Sequence, residues 1–291
     1  MLRWVSSFDV FDTLIARRSV EPQLVLKQLE MRAGLPGLAV KRLLADQRLG
    51  SRGQPYQLDD IWQEVKQAMG LDDATANGLK ALEVQLEHDE VIPIAENLVQ
   101  VEDGDVLVSD TYLPLEVVRS LLSRAGLERT VALLVSNDGK LRGWIWPRLL
   151  EKFNVRQHFG DNLHSDGKTP ASAGIKAIIY TGSERTAVER FLAERGWEPL
   201  ANLVREVRLA NPIMHSRPEE RHLWTLTCEL NFPLLFFASL LLERHLRDSG
   251  AREVFFVSRD CHLWHRLYGR LFPLRRSTYF YTSRKCLLKP S

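Results

Sequence analysis

The sequence predicts an α/β fold built on a parallel sheet, and three observations carry that prediction. Short apolar runs recur between Trp4 and Tyr180, helical patterns separate most of them, and acidic or hydroxyl residues stand where the runs end. Alternating strands and helices give a parallel sheet with helices on both faces, because right-handed crossovers return each strand beside another. Ligands of such sheets bind outside the carboxyl ends of the strands.

The strands are predicted at Trp4–Phe8, Val106–Val108, Val131–Val135 and Ala177–Tyr180, short apolar runs that look like buried parallel strands. A weaker run, Gln157–Phe159, precedes Gly160. Helical periodicity occupies Leu115–Ala125, Trp144–Phe153 and Glu184–Arg195. The interval 17–102 breaks the alternation. Leu24, Leu26, Leu29 and Met31 open a helical pattern that continues through Val40 and Leu44, Ile61 to Met69, and Leu79 to Leu86. Turn signals at 34–37 and 50–55 divide it into about four helices. An insertion of this size at a strand's carboxyl end would sit over the site as a cap, or stand beside it as a separate bundle.

From Trp197 the character changes to a helix-rich stretch, then Val254–Val257, Ser258-Arg259-Asp260, an amphipathic helix and Thr278–Tyr281. This is another strand–loop–helix–strand unit with too few strands to close a sheet. Its Ser258-Arg259-Asp260 loop reads either as a second phosphate-binding loop or as interface packing. The expected organisation is therefore 1–16 with 103–196 as core, 17–102 as helical insertion, and 197–291 as an extension. A chain of 291 residues exceeds the roughly 100–200 of one domain, which agrees with this division.

Composition narrows the function classes. Hydrophobic residues make up 45% and charged residues 26%, ordinary for a globular protein, and the net charge of +2 gives no electrostatic footprint for nucleic acid. The three cysteines are scattered and form no metal-type pair, which fits a reducing cytoplasm. Met1-Leu-Arg-Trp4 runs directly into the first strand without the apolar core of a leader. Leu223–Leu242 is the most lipid-like stretch, but Glu229, Asn231 and Pro233 interrupt it, so it reads as a buried helix pair and not a membrane span.

The chemistry lies at the strand ends. The first strand delivers Asp9 and Asp12, with Thr13 behind them; the second delivers Ser109-Asp110-Thr111. The third leads to Ser136-Asn-Asp-Gly-Lys140, and the weak run before Gly160 delivers Asp161 and Asp166. Phosphoryl transfer through a carboxylate nucleophile needs this set. Attack of an anion on an anion requires neutralisation, which Mg²⁺ and a Lys supply, and Mg²⁺ needs only one or two carboxylates besides water. A hydroxyl with nearby backbone N–H groups holds a phosphoryl oxygen. Arg142 and Lys152 are also near enough in sequence to fill the cationic slot, and Asp166 can instead cap the helix that follows it. No metal-ligand spacing includes His88, His158 or His164, which read as solvent or structural histidines. Trp144 and Trp146 read as packing residues.

These four segments resemble the motifs of the haloacid dehalogenase (HAD) superfamily of hydrolases: Phe8-Asp9-Val-Phe-Asp12-Thr13-Leu14, Val108-Ser109-Asp110, Lys140, and Gly160-Asp161-Asn-Leu-His-Ser-Asp166. The match covers about residues 1–196 in the family's motif order. It implies a Rossmann-like core with a cap inserted after the first strand, and Asp9 as nucleophile. Ser109, with Asp110 and Lys140, would bind the phosphoryl group, Lys140 also stabilising charge on Asp9. Asp161 would bind Mg²⁺ with Asp9 and the Phe11 carbonyl, supported by Asp166.

One position departs from the pattern. Phosphatases of this family carry an acid/base Asp two residues after the nucleophile, where this chain has Phe11, and Asp12 follows one residue later. Dehalogenases of the superfamily carry an aromatic there. The acidic loop of Asp161 and Asp166 favours a phosphorylated substrate, because carboxylates without a cation repel one another. The pattern also resembles a subgroup of predicted hydrolases with a further carboxyl-terminal domain, often associated with surface polysaccharide. The expectation is a cytoplasmic Mg²⁺-dependent phosphatase or phosphotransferase acting on a small phosphorylated metabolite such as a sugar phosphate. The alternatives are a binding or regulatory module without the acid/base residue, and a 2-haloacid dehalogenase.

Overall fold

The structure, a computed structural model, describes residues 4–213, 217–258 and 261–282. The chain divides into two compact units, Met1–Ser216 and Arg217–Ser291. The first is mixed α/β around five parallel strands: β1 (Trp4–Phe8), β4 (Val106–Asp110), β5 (Ala132–Ser136), β6 (Asn154–Gly160) and β7 (Lys176–Ile179), in the order β5-β4-β1-β6-β7. Phe8 pairs with Leu107 on one side and Phe159 on the other, which makes β1 the central strand. The run with the weakest apolar signal, β6, is the longest strand of the sheet at 7 residues. Its polar residues include His158, which is fully buried and partnered.

Side-chain alternation splits the core in two. Phe8, Leu107 and Leu133 face one layer with Val118, Leu121 and Leu122 of α6 (Leu115–Arg124). Val5, Val106 and Val108 face the other, with Ile145, Trp146 and Leu149 of α7 (Ile145–Leu150). Each fully buried Leu, Ile or Phe contributes roughly 1.5–3 kcal/mol, so both layers hold the sheet firmly.

Between β1 and β4 lie four helices: α1 (Pro22–Ala33), α2 (Leu38–Ser51), α3 (Leu58–Met69) and α4 (Asp73–Glu90). Their termini carry the expected local chemistry. Gly34 ends α1 at φ +63°, and Asp72 caps α4 by accepting from the Thr75 amide at 2.7 Å. A ribbon absent from the sequence expectation closes the insertion: β2 (Ile15–Arg17) pairs antiparallel with β3 (Val91–Pro93), so the chain leaves and returns at one place. The short α5 (Ala95–Leu98) follows, and the Asn97 side-chain Nδ2 donates to the Thr13 carbonyl at 2.8 Å. The Leu58 amide donates to the Tyr112 carbonyl at 2.8 Å, fixing the start of α3 to the loop after β4.

The sequence reading starts the extension at 197, whereas the first compact unit runs on to 216. The reason is α10 (Glu198–Leu209), which follows α9 (Ala187–Glu194) and buries Leu200, Ala201, Val204 and Leu209. Its Arg208 donates to the Gly182 carbonyl at 2.8 Å and to Glu189 at 2.7 Å.

In the second unit, α11 (Pro218–Leu226) and α12 (Phe232–Ser249) join through a π turn at Thr227–Asn231. The buried helix pair expected there is instead one continuous helix. Asn231 stays helical, and Pro233 lies just after the π turn, inside the continuous helix. Pro218–Ser249 is long and apolar enough to cross a membrane by length and composition, and 17% of its apolar window is buried. β8 (Glu253–Val257) and β9 (Arg276–Phe280) form a parallel pair linked by α13 (His262–Leu271), as the strand–loop–helix–strand pattern predicts. Glu243 accepts from Tyr268 at 2.8 Å and from Arg275 at 3.0 Å. Ser258 donates to the Thr282 carbonyl at 2.5 Å, while Arg259 and Asp260 lie outside the described residues.

Candidate functional site

Parallel strands bring their carboxyl ends to one edge, and there the separated acidic residues meet. Asp9 leaves β1 with its amide donating to the Phe159 carbonyl at 2.8 Å, and it is buried. The Thr13 hydroxyl donates to Asp9 Oδ2 at 3.3 Å. Lys140, also buried, extends its ammonium to Asp9 Oδ1 and, at 2.7 Å, to Asp166 Oδ1. Arg142 is occupied elsewhere, paired with Asp138 at 2.8 Å and half exposed, so the cation of the site is Lys140.

The loop that carries Lys140 is buckled by Asp110. The Asp110 carboxylate accepts from the Ser136 hydroxyl at 2.6 Å, the Lys140 amide at 3.0 Å and the Leu141 amide at 2.9 Å. Its side chain thus holds the Lys140 loop. A Cβ at Gly139 would press on the Ser136 hydroxyl, 2.5 Å away, which donates to Asp110. Ser109 is buried at the end of β4, and its hydroxyl makes no hydrogen bond among the described residues.

Asp166 is fully buried at the π turn Leu163–Lys168, which Asn162 caps by accepting from the His164 and Ser165 amides at 2.9 and 3.0 Å. A side chain at Gly160 would fall on the Asp166 Cβ and Cγ, so glycine is what lets this carboxylate lie against β6. Asp166 Oδ1 also lies 3.1 Å from His158 Nε2, and Ser7 Oγ lies 2.9 Å from His158 Nδ1. The sequence reads His158 as a solvent or structural histidine, and the structure adds what the sequence did not signal: it supports the acidic cluster from beneath. Trp146 packs edge-on against it at 4.7 Å. His164 is exposed, and His88 lies 3.4 Å from the Ser120 hydroxyl.

The first loop is where the pattern departs. The Phe11 ring carries the Arg17 guanidinium 4.7 Å above its centroid, and Arg17 in turn donates to Glu87 of α4 at 2.8 Å. The aromatic ring therefore ties this loop to the inserted helices. Asp12 adopts a left-handed backbone, φ 55°, with its amide donating to the Ile15 carbonyl at 2.7 Å. Its carboxylate lies 3.6 Å from Arg205 of α10, a residue without any sequence signal.

No family model matches this chain, and no curated protein matches it. The site must be read from its own geometry.

Asp9, Asp161 and Asp166 place one carboxylate oxygen each within 4.8 Å of one another, so the three can hold a metal ion. Three anionic oxygens suit a hard cation. Electrostatics support this fit. Burial pushes the Asp9 carboxyl well above the usual carboxylate range, Lys140 pulls it down, and Asp166 and Asp161 push it up again. Burial, reinforced by Asp12 and Asp166, lifts Asp161 to about 6. Burial would raise Asp166 too, yet the His158 hydrogen bond and the Lys140 charge hold it below its ordinary value. Burial opposes the Lys140 charge, but Asp9 and Asp166 raise its ammonium above the usual range. A cation among these carboxylates relieves the repulsion that raises them.

Burial lowers the His158 value, so the ring is neutral when folded. With Asp166 ionised, Nε2 carries the proton and Nδ1 accepts from Ser7. His158→Phe is expected to lower stability by about 2 kcal/mol, since it leaves two buried polar groups short of a partner. The sign with pH follows: a depressed folded value gives stability that is present above about 6.5 and lost as pH falls through it. Urea denaturation of both proteins between pH 5 and 8 checks this. The wild-type advantage should shrink toward pH 5, and an advantage independent of pH would contradict a neutral buried His158.

Proposed function

We propose that the first unit is a Mg²⁺-dependent phosphatase or phosphotransferase of HAD type acting on a small phosphorylated metabolite, with α1–α4 as a cap over a Rossmann-like core. The observation that carries this reading is the buried ammonium of Lys140 shared by Asp9 and Asp166, with Asp161 in reach. A Lys held by two carboxylates neutralises a nucleophile and an entering phosphate together. Asp9, Asp161 and Asp166 would hold Mg²⁺, which supplies charge neutralisation for the phosphoryl oxygens.

Asp9 attacks phosphorus, the bond to the leaving oxygen breaks, and an aspartyl-phosphate forms. Lys140 keeps Asp9 ionised and faces the charge on the transferring group. The unengaged hydroxyl of buried Ser109 holds a phosphoryl oxygen. Asp12, the carboxyl nearest to the vacated acid/base role, gives a proton to the leaving oxygen and takes one from the water that cleaves the intermediate. A cavity of about 540 Å³ beside the ends of β4 and β5, lined by Tyr56, Leu113, Ser136, Asn137 and Trp144, has the size of a small-molecule site.

The test is phosphate release from aryl phosphates, sugar phosphates and nucleotides with and without Mg²⁺. Turnover should require Mg²⁺ and stop on chelation. The Mg²⁺ affinity should weaken as pH falls through about 6, where Asp161 takes up a proton that competes with the ion. No turnover under any condition would sink the reading. Metal-independent halide release from 2-haloacids would replace it with the dehalogenase.

A further inference from the structure

Arg205 belongs to α10, outside every strand end, and only 1% of its side chain is exposed. Its guanidinium has three engagements. Nε donates to the Ser183 carbonyl at 2.8 Å, Nη1 donates to the Arg17 carbonyl at 2.8 Å, and Nη2 lies 3.6 Å from Asp12 Oδ1. Two nitrogens thus fasten the loop after β7 and the end of β2 to α10, and the third reaches the candidate acid/base residue.

A buried guanidinium needs an anion, because an uncompensated charge in the interior is costly. Glu189, the nearby acid on α9, already accepts from Arg208 at 2.7 and 3.1 Å. Asp12 is left as the counter-ion. Its other oxygen, Oδ2, makes no hydrogen bond among the described residues, and 40% of the side chain is open. The left-handed backbone at Asp12 turns this side chain out of the line of β1, and the Asp12 amide bond to Ile15 holds the turn. Asp12 lies close enough for its charge to act on Asp161, so an unrestrained Asp12 would add a fourth carboxylate to the acidic cluster.

We propose that Arg205 is a positioning residue, holding Asp12 by Oδ1 on the α10 side of the site so that Oδ2 faces the leaving group and stays out of the set formed by Asp9, Asp161 and Asp166. In its catalytic part this rests on the phosphatase reading; the restraint on Asp12 does not. Arg205 works through Asp12 without touching substrate. The helix that the sequence assigns to an extension therefore completes the site.

Four full-length proteins test this: wild type, Asp12→Asn, Arg205→Lys and the double variant. Lys keeps the charge but cannot hold two carbonyls and a carboxylate at once. Thermal unfolding of each confirms that it is folded. With Mg²⁺ and p-nitrophenyl phosphate, Arg205→Lys should lower kcat tenfold or more with KM within about twofold. In the Asp12→Asn background the same change should alter kcat less than twofold, because the residue it positions is gone. Additive losses, or a wild-type kcat in Arg205→Lys, overturn the proposal.

Titration calorimetry with Mn²⁺ on the same proteins needs no turnover. Arg205→Lys should shift Mn²⁺ affinity severalfold when Asp12 is present and leave it unchanged in the Asp12→Asn background. Affinity independent of Arg205, or an equal shift in both backgrounds, overturns the proposal. A wild type without turnover whose Mn²⁺ affinities show the coupling would strike the phosphatase reading while the restraint on Asp12 stands.

Discussion

Asp9→Asn should abolish Mg²⁺-dependent phosphate release, by about 10³-fold or more, while leaving the protein folded and no less stable. The amide keeps the shape of the side chain but cannot attack phosphorus. The stability side follows from where Asp9 sits. It is buried between Lys140 and two further carboxylates, and burial holds its carboxyl high. A raised folded value gives stability that is present below the unfolded value, about 3.9, and lost as pH rises through the folded one. Ionising Asp9 in wild type therefore carries a cost, which the neutral amide of Asp9→Asn does not. Phosphate release by initial rate and the unfolding midpoint at pH 6 and 8 check both halves. Activity that survives in Asp9→Asn removes Asp9 from the nucleophile's role; a fall in midpoint would show that the carboxylate is structural.

Lys140→Met should have the opposite signature, with both stability and activity lost. Asp9 and Asp166 share this one ammonium, and removing it leaves two buried carboxylates without it. Breaking a buried pair by deleting one partner costs about 3–5 kcal/mol. The Lys140 value is raised in the fold, so its contribution is complete below the unfolded value, about 10.4, and fades only as pH rises through the folded one. The penalty of the variant should thus be large at pH 7. It should shrink as pH falls and Asp9 takes a proton. Activity should fall by about 10²–10³, the usual loss when a charge-stabilising group is removed. Denaturation at pH 5, 7 and 9 decides it: equal stability of the two proteins at pH 7 would mean that another cation serves Asp9 and Asp166.

Short apolar runs made β1, β4, β5 and β7 legible, most clearly β4, whose Val106, Leu107 and Val108 are all buried. A weaker run hid the extent of β6. Asn154, Arg156, Gln157 and His158 dilute its pattern, yet His158 is buried because Ser7 and Asp166 satisfy it. The β2–β3 ribbon was hidden for a related reason: Ile15–Arg17 and Val91–Pro93 are short, and their pairing spans the whole set of inserted helices. Periodicity found the inserted helices, but the long apolar helix of the second unit was misread, since a π turn accommodates residues that ordinarily end a helix.

The site divides along the same line. Asp9, Asp12, Ser109, Lys140, Asp161 and Asp166 could be named from residue type and place, because a parallel sheet brings its strand ends to one edge whatever lies between them. Their alliances could not be named. That Lys140 and not Arg142 meets Asp9, that Asp110 buckles the Lys140 loop, that Gly139 and Gly160 make room, and that Arg205 reaches Asp12 all depend on a few ångströms between distant segments. Strand ends follow from local pattern; which charge faces which is settled by burial, where each ion must find a partner at short range.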